Sequence, residues 1–153
     1  MTTIAESLQG KSVVQVLRTI YEDLIDRGMK EEDLPEVEKE LSSNFSYPAP
    51  SDQDIIEMFR KGHDTGWYDN QSLFDINYNF STDINVVEDD NDGDGNQCRK
   101  VIKYAFKDDS FVYIKYEGIY SSWDSNTWDY MGYCFTHTER IVYDYNMLEQ
   151  ISI

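Results

Sequence analysis

The sequence predicts an α+β fold, in which about three N-terminal helices pack on a C-terminal antiparallel sheet of about five strands. In residues 1–62 the apolar residues recur at steps of three and four, which is the spacing of one helix face. From Leu73 onwards apolar and polar residues alternate, as in a strand that is exposed on one face. Ten of the twelve tyrosines lie beyond residue 66, and aromatic residues favour strands. No repeat or boundary interrupts the chain, so we expect a single domain, 1–153, with a helical part (1–62) and a sheet part (72–147).

The firmest helix prediction covers the apolar stripe from Val13 to Ile25. Ser12 is followed three residues later by Gln15, which is the pattern of a capping box at a helix start. Gly28 lies where a helix of this length is expected to end, since glycine adopts the left-handed conformation of many helix ends.

Two shorter helices are predicted to follow. One starts at Asp33, and the other starts near Ser51 and ends at Gly62. The link Phe45–Pro50 is expected to be extended, because a residue that precedes proline avoids helical geometry. The expected buried residues are Leu34, Val37 and Leu41 in the first of these helices, and Ile55, Met58 and Phe59 in the second.

The strands are expected to form a meander with the helices on one face, because short connections favour neighbouring antiparallel strands. The turn 107–110 joins the second strand to the third, and the last two strands fall near 130–135 and 139–145. The apolar faces of the first three strands are expected to comprise Phe74, Ile76, Tyr78 and Phe80, then Ile102, Tyr104 and Phe106, then Val112, Ile114 and Tyr116.

The charge of the chain restricts its partners. Thirteen Lys and Arg against 30 Asp and Glu give a formal net charge of -17. This charge repels phosphate backbones, so direct binding of nucleic acid is not expected. It attracts basic protein surfaces. The alternative interpretation is that the acidic surface serves solubility alone.

No segment of the sequence predicts export or membrane insertion. No apolar run approaches the roughly 18 residues of a membrane helix. The N-terminal residues lack the basic and apolar regions of a signal peptide. We therefore expect a cytoplasmic protein without a membrane partner, in which Cys98 and Cys134 are reduced.

An acidic run, Glu88–Gly95, resembles part of a calcium loop. Asp90, Asp92 and Asp94 alternate before Gly95, as in loops whose oxygen atoms converge on a hard cation. Val101, however, lies where such a loop needs a bidentate glutamate. We therefore expect no specific metal site and interpret the run, including Glu88 and Asp89, as a solvated hairpin loop; weak adventitious binding of a cation is the alternative.

The sequence contains no recognisable catalytic motif. It has two histidines, His63 and His137, and lacks a nucleophile elbow, a zinc-protease motif and a glycine-rich phosphate loop. We therefore expect neither an enzyme nor a cofactor.

The segment Tyr120–Asp129 between two predicted strands is rich in aromatic and acidic residues. Exposed tryptophan and tyrosine are good anchors for a protein interface. The alternative is that the tryptophans close one end of the sheet. The predicted interface residues are Trp123, Asp124, Trp128, Asp129 and Tyr130 in this segment, and Glu88, Asp89, Asp90, Asp92 and Asp94 in the acidic run.

A small basic patch gives an alternative site. Arg99 and Lys103 fall on one face of the second strand, and Lys115 could join them across the hairpin. Beside aromatic residues, such a patch could hold a nucleotide. It could equally be edge-strand protection with salt bridges to neighbouring acids.

The pattern Y-S-S-W-D-x-x-x-W-D resembles small accessory proteins of tailed bacteriophages. It is formed by residues 120–129 and is followed by Thr138, Glu139, Val142 and Tyr143. The resemblance covers roughly residues 112–145 and implies a phage origin rather than a reaction.

Together, the acidity and the resemblance favour a protein that binds a host protein with a basic surface and occludes it. The target would be a nucleic-acid-binding or defence enzyme, blocked by carboxylates that imitate phosphate. One alternative is a module that sequesters a nucleotide, and another is a structural or assembly component of the virion. The oligomeric state stays open.

Overall fold

The computed structural model describes residues 2–34, 46–60, 72–76, 83–91, 97–121, 125–136, 148–149 and 151–152. It confirms the α+β class, with the longer helices in the N-terminal part and an antiparallel sheet in the C-terminal part. The helices are α1 (Ile4–Ser7), α2 (Val13–Asp26), α3 (Asp52–Arg60) and α4 (Leu73–Ile76), with a 3-10 turn at Glu31–Asp33. The strands are β1 (Ile84–Asn91), β2 (Gln97–Ala105), β3 (Phe111–Ser121) and β4 (Ser125–Cys134).

Helix α2 has the start and the end that its sequence predicts. Ser12 and Gln15 form a reciprocal capping box, which satisfies two N–H groups at the helix start. At the other end Gly28 has a φ of 112°, and the N–H of Met29 donates to the carbonyl oxygen of Leu24 at 2.9 Å. Only a residue without a Cβ adopts this conformation cheaply, so Gly28 ends the helix.

Helix α3 is also confirmed, with Ser51 accepting a hydrogen bond from the N–H of Asp54. Its predicted apolar residues are buried, and it ends at Arg60, while Gly62 lies outside the described residues. The predicted extended link is wrong at Tyr47–Pro48, where the chain makes a turn with a cis peptide bond. The hydroxyl of Tyr47 donates to the carbonyl oxygen of Met29, which ties this turn to the end of α2.

Two predicted starts of elements are wrong. No helix begins directly at Asp33, because its carboxylate accepts from the N–H of Lys30 and closes the 3-10 turn, after which Leu34 is extended. Residues 35–45 lie outside the described residues. Residues 73–76, predicted to start a strand, instead form the helical turn α4, in which the consecutive residues Leu73 and Phe74 are both buried, while Tyr78 and Phe80 lie outside the described residues. Consecutive burial fits a helical turn better than a strand with one exposed face.

The described residues form a four-stranded antiparallel meander in the order β1-β2-β3-β4. Within them the first strand is β1, which begins at Ile84 rather than at Leu73, and β4 begins at Ser125 rather than near residue 130. The predicted fifth strand, near 139–145, lies outside the described residues. The predicted inner positions of β2 and β3 are buried as expected: Ile102, Tyr104, Phe106, Val112, Ile114 and Tyr116.

The core lies between this inner face and helices α2 and α3. Leu17, Ile20 and Leu24 of α2 are fully buried against it. The hydroxyl of Tyr116 donates to the carbonyl oxygen of Phe59 at 2.6 Å, which fixes the end of α3 to β3. The described helices therefore cover one face of the sheet, and the opposite face is called the outer face below.

Candidate functional site

The meander places the two predicted interface segments at one end of the sheet. In antiparallel order the connections β1–β2 and β3–β4 lie at the same end, and the connection β2–β3 lies at the other. We call the first end, formed by residues 88–91, 97–100, 117–121 and 125–130, the distal end. The described parts of the acidic run and of the tryptophan segment therefore converge there. Strands β1 and β4 are about 14 Å apart, since each step between neighbouring strands is about 4.8 Å.

Much of the acidic run belongs to a strand, which corrects its prediction as a loop. Glu88, Asp89 and Asp90 lie in β1, while Asp92 and Asp94 lie outside the described residues. In the register, Asp89 is opposite Lys100 and Asp90 is opposite Arg99. Opposite charges across a strand pair are favourable, so this register suits an acidic strand beside a basic one.

Glu88 is the one carboxylate of this run whose side chain is described. It forms an ion pair with Arg99, and both side chains are partly exposed. The interaction holds β1 to β2 at the distal end. Part of the acidic run is thus neutralised within the sheet.

The tryptophan segment also lies mainly in a strand. Trp128, Asp129 and Tyr130 belong to β4, while Trp123 and Asp124 lie outside the described residues. Trp128 is opposite Gly118 in the register and Tyr130 is opposite Glu117. The predicted loop is therefore shorter than expected, because a Thr- and Trp-containing sequence pairs readily with β3.

Each edge strand of the described sheet has a register shift beside its predicted interface segment. The shift in β1 falls between Val86 and Glu88, and the shift in β4 leaves Asp129 as the extra residue opposite Glu117 and Gly118. Bulges bend a strand and occur often at sheet edges and beside functional sites. They also weaken an edge as a template for further strands.

Tyr130 is the predicted anchor that the structure displays most clearly. Its side chain is 73% exposed on the outer face, beside the exposed Glu117. The next residue, Met131, packs partly against the core, so the backbone of Tyr130 is firmly placed. An exposed tyrosine on a fixed strand can bury its ring in a partner at little cost in conformational entropy.

The alternative basic patch lies together on the outer face, as its spacing predicts. Lys115 is opposite Val101, midway between Arg99 and Lys103 on the neighbouring strand. Each cation has a local partner: Arg99 pairs with Glu88, Lys115 pairs with Glu117 at 2.9 Å, and Lys103 lies 4.3 Å from the ring centre of Phe111.

The strand order and these pairs bear on the interpretation of the patch as edge-strand protection with salt bridges. Strands β2 and β3 are the inner strands of the meander, so edge-strand protection is the wrong explanation for their charges. The pairing with neighbouring acids is confirmed for Arg99 and Lys115. Tyr113, on the same face, is buried. Nucleotide binding by this patch stays a prediction.

A buried polar network, which the sequence interpretation missed, fixes the end of α2 to the sheet at the end opposite the distal end. Asp23 is 4% exposed and accepts a hydrogen bond from the hydroxyl of Tyr104 at 2.6 Å. Its carboxylate also pairs with Arg27 at 3.1 Å. Burial and this hydrogen bond from its hydroxyl raise the pKa of Tyr104 far above its ordinary value, so the phenol stays protonated.

Arg27 distributes its remaining N–H groups over the same region. It pairs with Asp83 at 2.6 Å and donates to the carbonyl oxygen of Ala105 at 3.0 Å. The backbone N–H of Lys107 donates to Asp23 at 3.3 Å. Every charged side chain of this network thus has a partner. An aspartate on the buried side of α2, four residues before an arginine, was the available sequence signal.

The β2–β3 turn continues this anchoring through its own carboxylate. Asp108 accepts hydrogen bonds from the N–H groups of Ile4 and Ser110, and so caps the start of α1 from a distant part of the chain. These bonds, and one from the Ser110 hydroxyl, lower the pKa of Asp108. Lys107 pairs with Asp26 of α2 at 2.9 Å.

Within the described ranges, no group of three or more His, Cys, Asp and Glu side chains could hold a metal ion. Both histidines lie outside these ranges, as do Asp92 and Asp94. Cys134 is a free, exposed thiol. No helix among the described residues is long and apolar enough to cross a membrane.

Comparison with known proteins gives no relative: no family model, no curated protein and no solved structure matches the chain. The resemblance to phage accessory proteins stays a prediction.

Proposed function

We propose that this protein acts by binding, through the distal end of its sheet, to a basic surface of another protein. In keeping with the resemblance to phage accessory proteins, the partner is a host protein, and the action is occlusion of a surface that it needs for its own ligand. The protein then acts in the host cytoplasm. No reaction is required of it.

The observation that carries the proposal is the convergence of the two interface segments at one end of the meander. By sequence, residues 88–94 and 122–130 contain seven Asp and Glu and no Lys or Arg. They also contain two tryptophans and the exposed Tyr130. Acidic residues around aromatic anchors match the usual arrangement of a polar rim around a buried interface centre.

The rest of the hairpin gives the contrast that makes this end distinctive. Strands β2 and β3, with their turn, contain five Lys and Arg against three Asp and Glu in residues 97–121. Of these cations, Arg99 and Lys115 pair with acids next to them, and Lys103 lies on an aromatic ring. Lys103 and Lys115 in the middle of the sheet are thus compensated, and Arg99 at the distal end is paired with Glu88, whereas residues 88–94 and 122–130 add seven acids without adding bases.

Electrostatic attraction would act first and aromatic burial second. A surface of high negative charge raises the rate of encounter with a basic partner, and this effect weakens as salt increases. Tyr130 and the tryptophans would then supply short-range affinity, since such residues dominate interface energies. The proposal therefore predicts an association rate that depends on salt and a dissociation rate that depends on aromatic side chains.

The experiment that tests the proposal is affinity capture from a bacterial host lysate with the tagged protein, followed by mass spectrometry. A captured protein is then purified and titrated against the wild type at low and high salt. A basic, nucleic-acid-binding partner whose affinity falls with salt supports the proposal. Affinity that does not change with salt rules out electrostatic mimicry.

A further inference from the structure

We draw no further inference here: the strongest candidate, the outer face of strands β2 and β3 on which Arg99, Lys103 and Lys115 lie, carries none, because each of these cations already has a partner in Glu88, Phe111 or Glu117, and Tyr113 on the same face already contacts the ring of Phe111.

Discussion

The two ends of the sheet use carboxylates in different ways. Near the β2–β3 turn, Asp23, Asp26, Asp83 and Asp108 each bind a defined arginine, lysine, hydroxyl or backbone N–H. At the distal end the acids exceed the bases available to them, because residues 88–94 and 122–130 contain seven Asp and Glu, whereas Arg99 and Lys100 are the bases that lie opposite β1. Carboxylates therefore have two roles in this protein. Near the β2–β3 turn they hold helices to strands, and at the distal end we propose that they bind a partner.

The largest expected effect comes from breaking the anchored end. Asp23→Asn leaves the partly buried Arg27 without its charged partner on the helix and weakens the hydrogen bond from Tyr104. Removing one member of a buried ion pair typically costs about 3–5 kcal/mol. We therefore expect the free energy of unfolding in urea to fall by about 3 kcal/mol.

The matched change at the distal end is Glu88→Gln, which removes one partly exposed ion pair with Arg99. Exposed pairs contribute roughly 0–1 kcal/mol. The free energy of unfolding should therefore change much less than in Asp23→Asn. Equal losses in the two variants would contradict the division between an anchoring end and a binding end.

Sequence periodicity predicted the elements whose neighbours are local or repetitive. Capping residues identified both ends of α2, and alternation identified the inner faces of β2 and β3. Sequence periodicity failed where contacts between residues that are distant in the sequence determine the structure. The acids of β1 lie in a strand whose register sets Lys100 and Arg99 opposite two of them, and Asp23 is buried where Tyr104 and Arg27 satisfy it. Single-sequence patterns contain no information on such pairings.

The candidate site was predicted in composition but not in arrangement. Both interface segments were identified from their residues, whereas their convergence depends on the meander order. The alternation of Arg99 and Lys103 predicted a shared face, and the structure confirms it together with Lys115. The ion pair of Arg99 joins it to Glu88 on the neighbouring strand and depends on how the strands align, whereas the pair of Lys115 with Glu117 lies within β3, two residues apart.

The next effect concerns affinity rather than stability. Tyr130→Ala should weaken binding to the captured partner by about 2 kcal/mol, which is the scale of an interface hot spot, and mainly by faster dissociation. The exposed ring makes few contacts in the free protein, so the unfolding free energy should change by less than about 0.5 kcal/mol.

Leu148→Ala is the control for Tyr130→Ala, because Leu148 is also exposed and lies outside both interface segments. It should leave the dissociation rate unchanged. If both variants bind as the wild type does, Tyr130 is no anchor.

A smaller effect is expected from the compensated middle of the sheet. The double variant Lys103→Glu with Lys115→Glu removes one cation–aromatic contact and one exposed ion pair. Its unfolding free energy should change by about 1 kcal/mol or less. Partner binding should be retained, since these cations are not used in the proposal. The nucleotide alternative is tested by calorimetry with a nucleoside monophosphate. If the wild type binds the nucleotide and this double variant does not, the nucleotide alternative is favoured.

The smallest effect concerns the pH dependence of the anchored end. Hydrogen bonds from Ser110 and Ile4 lower the folded-state pKa of Asp108 below its ordinary 3.8. Its stabilising contribution is therefore complete above pH 3.8 and is lost as the pH falls through the lower, folded-state value. Thermal melts should show that Asp108→Asn is less stable than the wild type at neutral pH, with the difference shrinking in acid. A difference that stays constant with pH would contradict this linkage.

The most direct test of the central claim compares two variants of equal charge at the two ends. The distal variant combines Asp92→Asn, Asp94→Asn, Asp124→Asn and Asp129→Asn. The control variant neutralises four exposed acids of the α2 region and the β2–β3 turn: Glu22→Gln, Glu31→Gln, Glu32→Gln and Asp109→Asn. Association rates with the captured partner are measured for both at low salt, and melting curves confirm that both fold. We predict that the distal variant associates at least about tenfold more slowly and loses most of the salt dependence, while the control stays close to the wild type. Equal slowing in both variants would show that net charge alone drives association, and would contradict a binding site at the distal end.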